Sequence, residues 1–365
     1  MLNKKTICKW LLLGVLPLWG GGCQSVGEFS IDYQVPAEVS FPPAFRRVGI
    51  VNNLIPEPGD TVQTTETKTG DGAVATICRG QGALAAEALA QLLADANHFD
   101  EVIICDSALR QHDAVPQTEG LQSDEVMSLT HELGVDFLIS MEDVHILSRK
   151  KVTRYSDIGI YEGTVDALVS PLVRIYAPGR KGPMVTLHPV DSIYWETTTS
   201  SLGEAMGKMP STEEIRKQAS DFAGEMVVKH LVPYWKSAPR SYYIGSGVAM
   251  RDAAVCVHEA DWEKAVGLWK QSYQAKSAKT RMQAAYNIAL GYEMQDSLST
   301  ALEWARKAQQ IAGQIDKVEE KRQEGALPKP EWVPNYIKAS AYVTELKQRA
   351  SLLPLLQMQT KGSSE

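Results

Sequence analysis

Residues able to carry chemistry are scattered through this chain rather than gathered into a reaction centre. Gly245-Ser246-Gly247 sets a serine between glycines, but a nucleophile elbow needs the GxSxG spacing after a buried strand, and neither is present. His131-Glu132 has no second histidine to complete the HExxH of a zinc protease helix. His145 and His188 fall on expected strands and could face each other, although lone strand histidines are commonly structural or solvated. Arg79-Gly80-Gln81-Gly82 precedes an expected helix, whose N-terminus could hold an anion. The third glycine and the spacing of a phosphate loop are missing, which favours a plain turn. These patterns predict a protein that is not an enzyme and uses no metal and no cofactor.

Other side chains suggest contact rather than reaction. Arg149, Lys150, Lys151 and Arg154 form the one basic cluster, read as a solvated hairpin end or, alternatively, as a contact for an anionic lipid or cell-wall polymer. Asp191 and Trp195 are four residues apart, an even offset that places both on one face of an unbroken strand. A sugar-stacking platform is conceivable there; packing against a covering helix is the alternative that the pattern favours. Trp262, Trp269, Trp304 and Trp332 sit in a helical part and read mainly as core.

The stretch that organises the C-terminal part runs from Ala284 to Ala308 and has the layout of one tetratricopeptide repeat. Ile288, Ala289 and Tyr292 share one helical face, Asp296-Ser297 provides a turn, and Ala301, Ala305 and Ala308 line a second helix closely enough packed to need alanine. Trp262, Ala265 and Trp269 stand 36 residues before Leu298, Ala301 and Ala305, near the repeat period of about 34. Tyr336 to Leu353 reads as a capping helix. Two repeats bury little core alone, so an open groove near Tyr286, Asn287 and Glu293 is expected to hold a partner, unless the chain covers these helices itself.

Upstream, Val48 to Val51, Phe99 to Cys105 and Val135 to Val144 read as buried strands separated by helices at Ala83 to Asn97 and Ser123 to Leu133. That order predicts right-handed crossovers and a parallel sheet. Residues 52–80 read as a long loop or a protruding hairpin. Tyr161 to Tyr176 and Val185 to Thr199 alternate as a long antiparallel hairpin extending the sheet, and a helix from Ser211 to Leu231 opens with a capping box and covers a sheet face. Tyr234 to Gly247 reads as a connector. The expected fold is therefore α/β: a small mixed sheet, β-α-β-α-β plus a long antiparallel hairpin and a covering helix, followed by an all-α tetratricopeptide-like region. In a parallel unit Cys78 and Cys105 lie on one sheet edge, so a disulfide between them is sterically allowed; two separate thiols are the alternative.

At 365 residues, with 44% hydrophobic and 22% charged residues, the chain has ordinary globular composition and room for two or three domains. Its net charge of −7 speaks against nucleic acid as a partner. Lys4 and Lys5 followed by an apolar core from Trp10 to Trp19 form a secretory leader, and Gly20-Gly21-Gly22 before Cys23 resembles a bacterial lipobox. Residue 20 is Gly where that motif usually has Leu. Cys23 is thus the expected lipidation site. The expected divisions are 1–22 signal peptide, 23–45 tether, part of which can pair as an edge strand, 46–236 α/β domain, 237–353 helical region and 354–365 disordered tail.

LVRIYAP at 172–178, DSIYWE at 191–196, VPYWKSAPRSYY at 232–243 and AAYNIALGYEMQ at 284–295 are similar to an uncharacterised family of lipoproteins from Bacteroidales gut bacteria. The resemblance covers nearly the whole mature chain and implies lipoprotein status and this architecture; it supplies no catalytic residue. In element order alone, Arg46 to about Thr199 also resembles the small α/β domains of periplasmic lipoproteins such as the curli-secretion lipoprotein. The function expected is a lipid-anchored, non-enzymatic interaction or scaffold protein of the cell envelope, at the outer membrane, with another envelope protein as partner. The alternative is an envelope ligand-binding lipoprotein that uses the loop edge of the α/β domain.

Overall fold

The computed structural model describes residues 26–55, 65–68, 73–105, 107–110, 120–245, 247–323 and 329–361. The leader and Cys23 lie outside them, as does Ser246. The chain is a mixed α/β sheet with helices, followed by a helical C-terminal region. It divides into a helical unit, which includes residues 237–350, and an α/β unit of residues 32–236 and 351–365.

In the α/β unit, β2 (Arg47–Asn52) lies between β5 (Glu101–Ile104) and β6 (Phe137–Tyr155), parallel to both. Helix α1 (Gly82–Asp95) precedes β5 and α2 (Ser123–Leu133) precedes β6. Alternation along the strands separates two cores. Val48, Ile50, Phe137, Ile139 and Met141 join α1 and α4 (Thr212–Leu231) on one face, while Val51 and Leu138 meet Val126 of α2 on the other. Helices α1 and α4 approach closely because Gly224 has no side chain: a Cβ there would lie 2.4 Å from the Ala85 carbonyl oxygen.

Strand β6 runs on for 19 residues, well past the expected end at Val144, and pairs along its length with β7 (Ile160–Tyr176). Its other edge is shared end to end by β2, against Phe137 to Met141, and by β4 (Val74–Arg79), against His145 to Lys150. The 52–80 segment thus supplies a hairpin, β3 (Thr65–Lys68) with β4. The return from β7 is broken into β8 (Val185–Leu187) and β9 (Asp191–Thr199), with Pro189 in the gap, since proline cannot donate to a ladder. A short helix, α3 (Leu202–Lys208), follows.

Three sequence expectations change here. The segment expected as a connector is largely strand: β10 (Tyr234–Tyr243) pairs with β1 (Val26–Val35), the part of the 23–45 tether expected as an edge strand, in a two-stranded ribbon. Pro239 within β10 is tolerated because a ribbon strand has a free edge. The 354–365 tail is helical as far as Lys361, the end of α10 (Pro334–Lys361). Its Gln359 is buried, accepts a hydrogen bond from Ala37 N (2.9 Å) and donates to Ser40 Oγ (2.9 Å), which anchors the helix end. Finally, the Cys78–Cys105 bridge is excluded and both are free thiols. Cys78 pairs with Ile146, whereas Cys105 N donates to Ile50, whose neighbour on β6 is Ile139. Seven positions along a strand separate them by roughly 20 Å, far beyond disulfide reach.

In the helical unit α5 (Val248–His258), α6 (Trp262–Tyr273), α7 (Ala278–Glu293) and α8 (Leu298–Ile315) pack each on the next, and α9 (Val318–Gln323) follows. Ala265, Ala301, Ala305 and Ala308 are buried at the crossings and Trp269 fills the core; Trp262 and Trp304 are partly buried, and Trp332 is half exposed. Ala260 and Asp296, 36 residues apart, both turn between helices with positive φ (56° and 54°).

Candidate functional site

Helix α2 covers one end of its sheet face. Beyond it the outward side chains of β4, β6, β7 and β9 meet solvent, with Ile77, Leu147, Leu168 and Tyr194 each more than 40% exposed. Polar groups gather where covered and uncovered parts meet. The cause is a β-bulge between Met141 and Asp143. Met141 and Val144 both enter the core, so the two residues between them, Glu142 and Asp143, turn to the same outer face instead of alternating.

Glu142 accepts from Asn53 Nδ2 (2.7 Å) and from the Tyr176 hydroxyl (3.1 Å). That hydroxyl also accepts from Leu121 N (3.1 Å), and the Arg174 guanidinium lies beside it. Burial, with the nearby Glu142 charge, pushes Tyr176 up to about 12. Asn53 Oδ1 accepts from the buried Arg110 (2.8 Å), which also pairs with Glu125 (2.9 Å). Burial alone would raise Glu125, but Arg110 and the Gln122 N–H outweigh it and hold it below the usual carboxylate range.

On the other side of the bulge Asp143 contacts His145 (3.2 Å) and Arg79 (3.5 Å). The two strand histidines do converge, on Ser170: His145 is its cross-strand partner and His188 Nε2 lies 2.8 Å from its hydroxyl. The Ser170–His188 pair has the reach of nucleophile and base, but it is solvent-exposed and no carboxylate among the described residues orients His188. Among the described residues no three His, Cys, Asp or Glu side chains group to hold a metal ion.

An open cavity of about 360 Å³ adjoins this band, lined by Gly120, Leu121, Ser123, Arg174, Tyr176 and Lys181 among others. Gly120 makes the room: a Cβ there would fall 2.0 Å from the Tyr176 hydroxyl and 2.4 Å from Arg174 Nη1.

The helix-surface groove expected at Tyr286, Asn287 and Glu293 is not there. All three are buried, the last two with no exposed surface, because α7 is enclosed on nearly every side. Asn287 accepts from Tyr243 N (2.9 Å) and donates to Tyr243 O (2.7 Å), doing for β10 what a neighbouring strand would do. Glu293 accepts from Arg240 (2.8 and 3.0 Å), from the Tyr342 hydroxyl (2.8 Å) and from Arg349. Burial pushes Glu293 up, but these donors outweigh it and hold its carboxyl below the usual range. Polar residues on a helix read as surface, and no signal within α7 announces partners 44 to 56 residues away.

The remaining motifs settle as packing. The α1 N-terminus is closed: Gln81 N donates to Ser220 Oγ (2.7 Å), and a Cβ on Gly82 would strike Asn52 Oδ1 at 2.2 Å. Asp191 and Trp195 share a face turned to α4, where they meet Lys229 (3.6 Å) and Gln218 (3.0 Å). The basic cluster is divided along the β6–β7 hairpin: Lys150 donates to Pro210 O (2.7 Å), and Arg154 lies over Tyr161. Among the described residues no helix is long and apolar enough to cross a membrane.

A family model described as Domain of unknown function (DUF6340) matches residues 251–348, and one described as Domain of unknown function (DUF8603) matches residues 45–243. No curated protein matches the chain. With more than half its length matched by the second of these models, the chain belongs to the family described as Domain of unknown function (DUF8603).

Proposed function

We propose that this is a non-enzymatic, lipid-anchored protein of the cell envelope whose α/β unit holds a small polar ligand at its loop edge. The observation that carries the reading is the cavity beside α2, with Tyr176 fixed by two hydrogen bonds at its wall. Its size is that of a small-molecule site. The helices serve as a tetratricopeptide-like scaffold; the repeated turn at Ala260 and Asp296 supports that likeness. Lipidation at Cys23 rests on the leader alone. A screen of small polar molecules by thermal shift tests the reading: a ligand should raise the melting temperature of the wild type, and Ser123→Trp at the cavity rim should abolish the rise. That variant should leave the unliganded stability within about 0.5 kcal/mol. A shift unaffected by Ser123→Trp would place the ligand elsewhere.

A second reading, contact with another envelope protein, keeps support from an open cavity of about 510 Å³ between α8, α9 and the start of α10. Gln309, Gln314, Arg306 and Tyr336 line it, polar and aromatic groups suited to a peptide segment.

A further inference from the structure

Two cations line the cavity beside α2, and no carboxylate of the described residues does. Arg110, a short distance along the chain from α2, is the contrast: it is neutralised by Glu125, and Glu125 is in turn occupied by Arg110 and the Gln122 N–H. Arg174 has no such partner. Among the described residues neither Arg174 nor Lys181 comes within ion-pair distance of an acid. Arg174 is nonetheless confined. It lies beside a Tyr176 hydroxyl that Leu121 N and Glu142 fix, where only a glycine at 120 leaves space. Its planar fork of N–H donors stands at the cavity wall. A guanidinium fork matches the two oxygens of a carboxylate or phosphate, and an ammonium beside it adds charge without demanding geometry.

We propose that the cavity beside α2 recognises an oxyanion, the phosphate or carboxylate group of its ligand, through Arg174, with Lys181 as the second cation. This rests on the ligand-binding reading of the same cavity and names its chemistry. The group could come from a free anion or from a lipid headgroup. Calorimetric titration of the full chain in a nonionic detergent would separate these sources, using inorganic phosphate in one arm and short-chain phosphatidylglycerol in the other. In at least one arm the wild type should bind. Arg174→Ala should weaken that binding at least tenfold and Lys181→Ala about threefold, with both effects shrinking as salt rises. Binding in the phosphatidylglycerol arm alone would assign the oxyanion to a headgroup. Absence of binding in both arms, or binding indifferent to Arg174→Ala, overturns the proposal. If an uncharged molecule meanwhile gave a thermal shift that Ser123→Trp abolishes, the cavity would stand as a ligand site and only its oxyanion chemistry would fall.

Discussion

In the helical unit Arg240 and Arg349 both reach Glu293, a carboxylate with no exposed surface, and the Tyr342 hydroxyl adds a further donor. Glu345 completes the set at 2.8 Å from Arg240, so two positive charges meet two negative ones. In the α/β unit Arg174 stands against a tyrosine hydroxyl at the wall of an open cavity and meets no carboxylate among the described residues. The residue types are alike; the charge balance is not. A buried charge is tolerated when its partners satisfy it, and such a network then behaves as structure. A half-buried guanidinium left unbalanced beside a cavity is available to something outside the chain. The comparison teaches that buried ionic chemistry in this protein marks the scaffold, and that the incomplete cluster is the one to examine for function.

Four measurements bear on this contrast. The largest effect is expected from Glu293→Ala, which removes the buried carboxylate that Arg240 and Arg349 share and should cost about 3–5 kcal/mol in urea unfolding. The same network should give the protein an acid-sensitive component. Because Glu293 is held below its ordinary value of 4.5, its contribution is complete above that value and is lost as pH falls through the lowered one. A stability curve identical for wild type and Glu293→Gln across that acid range would break the comparison at its structural end. A smaller loss, about 1–3 kcal/mol, is expected for Asn287→Ala, which leaves the buried N–H and C=O of Tyr243 without partners. Were Asn287→Ala neutral and accompanied instead by loss of a co-purifying protein, the groove expectation would return. Smallest of all, Arg174→Ala should change unfolding free energy by no more than about 1 kcal/mol, since no carboxylate among the described residues is abandoned. A cost like that of Glu293→Ala would place Arg174 in the scaffold too.

Much of the fold was legible because local patterns and tertiary environment agree. Leu89 and Leu93 of α1, Ile215, Ala219 and Ala223 of α4, and the apolar run Val48 to Val51 show their buried faces by periodicity alone. The Asp191–Trp195 reading held for the same reason, an even offset on a regular strand. The site was far less legible. Leu138 to Val144 gives no sign that one residue is extra, yet the bulge there is what sets Glu142 and Asp143 side by side on the outer face. Cys78 and Cys105 looked like neighbours because α1 seemed to follow the first strand directly, when a hairpin that pairs elsewhere on β6 intervenes.

By itself, then, the order of residues determined helices α1, α2 and α4, the parallel pairing of β2 with β5 and β6, and the small-residue crossings of the C-terminal helices. Those features depend on spacing between near neighbours. Tertiary structure alone decided that Asn287 and Glu293 are interior, that Gln359 ties the last helix to residues 37–40, and that Arg174 stands beside a cavity with no acid of the described residues against it. Each of these depends on a partner far along the chain, and whether a polar side chain finds such a partner or is left for a ligand is settled only when the segments pack.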